Sequence, residues 1–256
     1  MRDPRPDFIV IGPARTGTTW LKEWLCCHPQ VFILHGEPNF FSGWTEMTTE
    51  EYLRQFDLEH GAFKTSKNGF PKDLSPGVQK FGEKSPSYFT MPDEAIERCA
   101  TLLPDVKLIC TIRNPIDRAH SHIRLLKPAQ RDWVEEVARN GGKCRPLKEV
   151  IGHGRYREHL LRWAWYFAPE QILLVDFARV ISEPHALYAE IIEFLGLAPA
   201  PAPLSLHRVG RPKTGETMSP ELEAYLAAAY AQDDWSIEGL EALIRAASPA
   251  SAFSDV

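Results

Sequence analysis

At 256 residues the chain can bury a sizeable core and lies near the upper limit for a single one, so one α/β domain over 1–256 is the starting expectation. An apolar fraction of 44% and a charged fraction of 25% argue against disorder and against an integral membrane protein, and a net charge of -5 argues against nonspecific nucleic-acid binding, so any anion site must be local. Five cysteines, odd in number and without CxxC spacing, fit a reducing compartment.

The polar start from Met1 to Asp7 leads into an apolar run that ends at Gly12, too short for a signal core or a membrane span, and a cytoplasmic enzyme is expected. That run, Phe8-Ile-Val-Ile-Gly12, has the β-branched composition of a buried parallel strand and is closed by Gly12-Pro13. Trp20, Leu21, Trp24 and Leu25 then recur at helical spacing until Cys27-His28-Pro29 stops the helix. Val31 to Leu34 and Lys107 to Ile112 read as two further strands, with loop and short helix between them. Asn114-Pro115 sets an N-cap residue before proline at the first helical position, which predicts a helix to about Leu126.

Ala129 to Arg145, rich in charge and carrying Gly141-Gly142, reads as a mobile excursion or a substrate-facing insert. A helix from Tyr156 to Phe167, a fourth strand from Gln171 to Val175, and helices from Leu187 to Leu195 and from Pro220 to Tyr230 complete the pattern. Strand and helix alternate as in an open parallel sheet covered on both faces.

Between the first strand and helix stands Gly12-Pro-Ala-Arg15-Thr16-Gly17-Thr18-Thr19. Small residues let backbone N–H groups converge on an anion, the helix start adds partial positive charge, and the hydroxyls of Thr18 and Thr19 add donors, so phosphate is the natural guest. A glycine turn that merely joins strand to helix is the competing reading. No lysine follows Gly17, and no acidic residue ends the Lys107 to Ile112 strand, which disfavours a magnesium-dependent P-loop kinase or ATPase. His120 and His122 fall two apart on a helix and so face different ways, and no metal site emerges.

Arg15-Thr-Gly-Thr-Thr-Trp20 resembles the 5′-phosphosulfate loop of sulfotransferases that use 3′-phosphoadenosine 5′-phosphosulfate (PAPS), with arginine where many members carry lysine. Arg113-Asn-Pro-Ile-Asp-Arg118-Ala-His-Ser121 resembles the family's 3′-phosphate loop, in which the positions of Arg113 and Ser121 hold the ribose 3′-phosphate. Gly36-Glu37-Pro38-Asn39-Phe40-Phe41 and Gly82-Glu83-Lys84-Ser85-Pro86-Ser87-Tyr88-Phe89 are similar to segments of the heparan sulfate sulfotransferase branch, although Gly36 and Asn39 stand where that branch has basic residues.

The resemblance implies a three-layer, P-loop-like sulfotransferase fold, PAPS as donor with 3′-phosphoadenosine 5′-phosphate (PAP) as product, and no metal requirement. It implies Glu37 as catalytic base, with His35 as the alternative, and Lys84 and Arg15 near the transferred group. Cofactor contacts are implied for Arg15, Thr16, Gly17, Thr18, Thr19, Trp20, Arg113 and Ser121, for Tyr156 on the helix that closes over the nucleotide, and for Arg211 and Lys213 in a late basic loop. Tyr88 and Phe89 read as packing residues. The acceptor is a carbohydrate or small-molecule hydroxyl, with no nucleic-acid or membrane partner expected. A degenerate protein that binds PAP or PAPS without catalysis is a reading of a different class.

Overall fold

The computed structural model describes residues 4–57, 77–200 and 217–247. In chain order the elements are β1 (Phe8–Val10), α1 (Thr18–Leu25), β2 (Val31–Ile33), α2 (Thr49–Arg54), β3 (Lys80–Lys84), a 3-10 turn (Pro86–Thr90), α3 (Asp93–Leu102), β4 (Lys107–Ile112), α4 (Pro115–Ile123), α5 (Pro128–Asn140) and α6 (Arg145–Gly152). They continue with α7 (Tyr156–Tyr166), β5 (Ile172–Asp176), α8 (Arg179–Ser182), α9 (Pro184–Phe194), α10 (Pro220–Tyr230) and α11 (Ile237–Ala247).

The strands form a parallel sheet in the order β2-β3-β1-β4-β5. Because strand side chains alternate, the sheet feeds two cores, one on each face. Phe8, Val10, Val31, Ile33, Ile109 and Val175 pack on one face against Trp20, Trp24, Leu187 and Ile191 of α1 and α9. Ile9, Ile11, Phe81, Leu108, Cys110 and Leu174 pack on the other against α3, α7 and α11, where Ile96, Leu160, Trp163 and Leu240 are fully buried. The expected three-layer architecture with helices on both faces is thus present.

Two expectations are corrected. The chain between β2 and β4 is not only loop and short helix: β3 lies between β2 and β1, and its Lys-Phe-Gly-Glu-Lys sequence conceals it because charge and glycine occupy buried positions. The stretch from Ala129 to Arg145 is not an excursion but mostly α5, which buries Val134 and Val137 against α4 and α10 in a third cluster with Ala119, Ile123, Leu222 and Leu226. Its charged residues form the outward side of an amphipathic helix.

Gly82 of β3 is required by packing. A Cβ there would lie 2.3 Å from the Phe8 ring across the β1–β3 pairing. Gly82→Ala is expected to cost about 1–3 kcal/mol through overpacking; a urea midpoint equal to that of the parent protein, at unchanged slope, would refute this.

Candidate active site

The connections after β1, β2, β3 and β4 meet at the carboxyl edge of the sheet. The chain leaves β1 toward β2 and later crosses over β1 to reach β4, so the β1–β4 boundary is the switch point where open α/β sheets leave a crevice for ligands.

The loop after β1 delivers an uncapped helix start to this crevice. Gly17, the N-cap of α1, has φ 92°, no side chain caps the helix, and its first turn holds no acidic residue. A Cβ at position 17 would lie 2.4 Å from the Phe177 ring, so glycine supplies both the left-handed conformation and the clearance. Arg15 also has positive φ, at 77°, a conformation uncommon outside glycine. Its exposed side chain reaches across to α4, where Nε donates to Ser121 Oγ at 3.1 Å, and its carbonyl accepts from Arg113 Nη1 at 3.3 Å. The two sequence motifs therefore form one cluster.

The other loop residues divide by direction. Thr16 is fully buried: Oγ1 donates to Pro13 O at 2.6 Å and lies 2.5 Å from Thr111 Oγ1, so its hydroxyl ties the loop to β4 and only its backbone remains for a ligand. Thr18 is buried and Thr19 exposed in the first turn of α1. Trp20 packs on Trp24 with ring centroids 4.3 Å apart and belongs to the core. Tyr156 is buried and donates to the Arg113 carbonyl at 2.7 Å, so it supports Arg113 from below. Arg211 and Lys213 lie outside the described residues.

Positive charge is concentrated here beyond what the motifs announce. Arg113 places its guanidinium 5.1 Å from the centroid of the Phe177 ring. Arg118 is fully buried; Nη1 donates to Ala14 O and faces His122 Nδ1, both at 3.3 Å, and Nη2 donates to Val150 O. Its Nε is a buried donor without a partner, and no carboxylate pairs with it among the described residues. Burying a guanidinium with one N–H unpaired and no carboxylate partner is costly, and a bound anion would offset that cost. Partial burial and then the charges of Arg113, Arg124 and Arg118 lower the Arg15 pKa. Burial, followed by Arg118 and Arg15, brings His122 down to about 4. This field and the open helix start fit a multiply charged anion such as a nucleotide bisphosphate.

A second group lies at the ends of β2 and β3. Lys84, 6% exposed, ion-pairs with Glu37, whose side chain is 41% exposed. The pair thus joins a buried cation to a carboxylate that solvent or substrate can reach. Lys22 of α1 donates to Gly36 O at 3.5 Å, and burial, with Lys84 nearby, lowers its ammonium pKa. His35 is exposed and forms no bond with Glu37 or Lys84. Glu83, beside Lys84, is fully buried; burial raises its pKa to about 7 although Tyr52, Ser85 and Tyr88 all donate to it. Among the described residues no group of His, Cys, Asp or Glu is arranged to hold a metal ion, and no helix is long and apolar enough to cross a membrane.

Sequence reasoning gave Lys22, Glu83, Arg118 and Arg124 no role. Arg118 had a readable signal, since it precedes Ser121 by three residues on α4 and so shares its face. Glu83 became readable only with β3 in place.

A family model described as "Sulfotransferase domain" matches residues 5–208. The chain is 32% identical over 207 residues to human bifunctional heparan sulfate N-deacetylase/N-sulfotransferase 3, covering 77% of this chain and 23% of that protein. It is 31% identical over 196 residues to human heparan sulfate glucosamine 3-O-sulfotransferase 6, covering 75% of this chain and 52% of that protein. The chain therefore spans about a quarter and about half of these relatives. A solved sulfotransferase from Alicyclobacillus acidocaldarius superposes with a TM-score of 0.64 at 26% identity, covering 97% of this chain and 98% of that one. The chain belongs to the sulfotransferase family.

Proposed function

We propose that the protein transfers a sulfuryl group from PAPS to the hydroxyl of a carbohydrate or small-molecule acceptor, leaving PAP. The observation that carries this reading is the adjacency of two features: an arginine-rich crevice with an open helix start, and a reachable carboxylate paired with a buried lysine. Arg113 and Ser121 hold the 3′-phosphate, and the backbone of residues 15–19 with the start of α1 holds the 5′ side. Thr18 and Thr19 add hydroxyl donors there.

The donor supplies a sulfur centre whose bond to the bridging oxygen breaks as the acceptor oxygen bonds to sulfur, the electron pair leaving with the 5′-phosphate. Glu37 takes the proton that the acceptor hydroxyl gives up. Lys84 orients Glu37 through their ion pair and, having three N–H donors, can hold that carboxylate while also donating to a sulfuryl or bridging oxygen. Arg15 adds positive charge on the phosphosulfate side.

Incubation of the purified protein with sulfur-labelled PAPS and a panel of hydroxylated acceptors, in excess chelator, tests the reading. The expected result is a labelled acceptor with stoichiometric PAP, undiminished by chelation, because fixed cations do the work that magnesium does in a kinase. Nucleotide binding with no transfer to any acceptor would identify a binding protein. A magnesium requirement with phosphoryl transfer from ATP would identify a kinase.

A further inference from the structure

Glu83 has no part in the reaction just described, yet its surroundings are built around it. It is fully buried on β3, 3 residues past Lys80 and next to Lys84. Three hydroxyl groups from two elements and a connecting residue donate to it. Tyr52 of α2 reaches Oε1 at 2.5 Å, Ser85 reaches Oε2 at 2.8 Å, and Tyr88 lies 3.3 Å from both oxygens.

Two of those hydroxyls also accept from the backbone of the segment that follows Glu37. Asn39 N donates to Ser85 Oγ at 3.2 Å, and Phe41 N donates to Tyr88 OH at 3.4 Å. The third donor, Tyr52, stacks on Phe40 with centroids 4.4 Å apart and planes 7° from parallel. Asn39, with φ 53°, in turn donates through Nδ2 to the carbonyl of Glu37 at 3.1 Å. Three struts of the 37–41 turn thus lead to one carboxylate, while Ser87 Oγ donates separately to Asn39 Oδ1 at 2.5 Å.

We propose that Glu83 is a positioning residue that, through Ser85, Tyr88 and Tyr52, fixes the 37–41 turn so that Glu37 meets Lys84. This rests on the sulfotransferase reading for its kinetic consequence, but not for the geometry. An ionised carboxylate only accepts, so all three hydroxyl protons can point at it and leave the oxygens of Ser85 and Tyr88 free to accept from the turn. A proton on Glu83 makes it a donor and forces one of those hydroxyls to turn. The titratable groups around it are Tyr52, Tyr88 and, from α3, Cys99, all of them neutral over the working range; Arg98 of α3 donates to the Phe40 and Phe41 carbonyls. With Glu83 raised to about 7, the clasp forms as pH rises through neutrality and loosens as it falls.

The experiment compares the wild-type protein with Glu83→Gln and Ser85→Ala. Expected is a roughly tenfold loss of kcat in each variant, PAP affinity within about twofold of wild type by calorimetry, and loss in Glu83→Gln of the wild-type rise of kcat through pH 7. Unchanged kcat in both variants, or parallel loss of kcat and PAP affinity, overturns the proposal. Ser85→Ala keeps the test decisive if Glu83→Gln does not fold. A readout independent of turnover is the nitrogen resonance of the Lys84 ammonium, which its ion pair protects from exchange. Its loss in Ser85→Ala supports the clasp, and its persistence in the folded variants overturns it. A wild-type protein that transfers no sulfuryl group would defeat the functional reading, while this signal would still decide the positioning role.

Discussion

Glu37→Gln is expected to lower kcat by roughly 10²–10⁴-fold, the range spanned by loss of a general base, with PAP affinity nearly unchanged. The substitution keeps the shape of the side chain and removes its capacity to take a proton. It also removes a charge, which leaves Lys84, 6% exposed, without its carboxylate partner. Part of the loss will therefore come from a lysine free to shift toward another acceptor, and two variants separate the contributions. Lys84→Met removes the cation and leaves Glu37 reachable by solvent; the double variant should lose much less than the product of the single losses, because the two residues act as a unit. His35→Ala tests the alternative base, and retention of activity there excludes it. Wild-type turnover in Glu37→Gln would end the assignment of Glu37 as base, and loss of nucleotide binding in parallel with kcat would mean that the pair supports the fold of the crevice instead.

The parts of this arrangement legible in the sequence are those where local chemistry and tertiary role coincide. Phe8 to Val10 is apolar because both sheet faces are covered, and Asn114-Pro115 starts α4 because Asn114 Oδ1 accepts from Ile116 N at 2.9 Å and Asp117 N at 3.2 Å, both short-range bonds. β3 was not legible, since Glu83 and Lys84 are buried charges whose partners Tyr52 and Glu37 lie 31 and 47 residues away, and no local pattern encodes partners at that distance. Tyr156 and Trp20 were legible as aromatic residues near the nucleotide loops, but whether an aromatic faces a ligand or the core depends on the rotation of its helix against the sheet. Packing settles that rotation: Trp20 meets Trp24, and the Tyr156 hydroxyl meets the Arg113 carbonyl. The 129–145 stretch misled because charge marks the solvent side of α5 as readily as it marks a loop.

Arg113→Ala is expected to weaken PAP about 10- to 150-fold, the equivalent of about 1.5–3 kcal/mol for hydrogen bonds to a charged group, and to weaken adenosine 5′-phosphate less than about threefold. The asymmetry follows from position. Arg113 leaves the end of β4 with its carbonyl held by Tyr156 and its guanidinium beside Phe177, so its fork is aimed before any ligand arrives and little ordering entropy is lost on binding. Its bond to the Arg15 carbonyl, at 3.3 Å, also steadies the 5′ loop, which accounts for the small loss expected for the monophosphate. Arg113→Lys should recover only part of the affinity, because an ammonium restores the charge and not the paired geometry. Removing one phosphate contact should also flatten the dependence of PAP affinity on salt, since fewer screened charge pairs remain. Equal losses for PAP and adenosine 5′-phosphate would assign Arg113 to loop support and move the 3′ subsite toward Arg118 and Arg124, the two remaining arginines whose charge reaches Arg15.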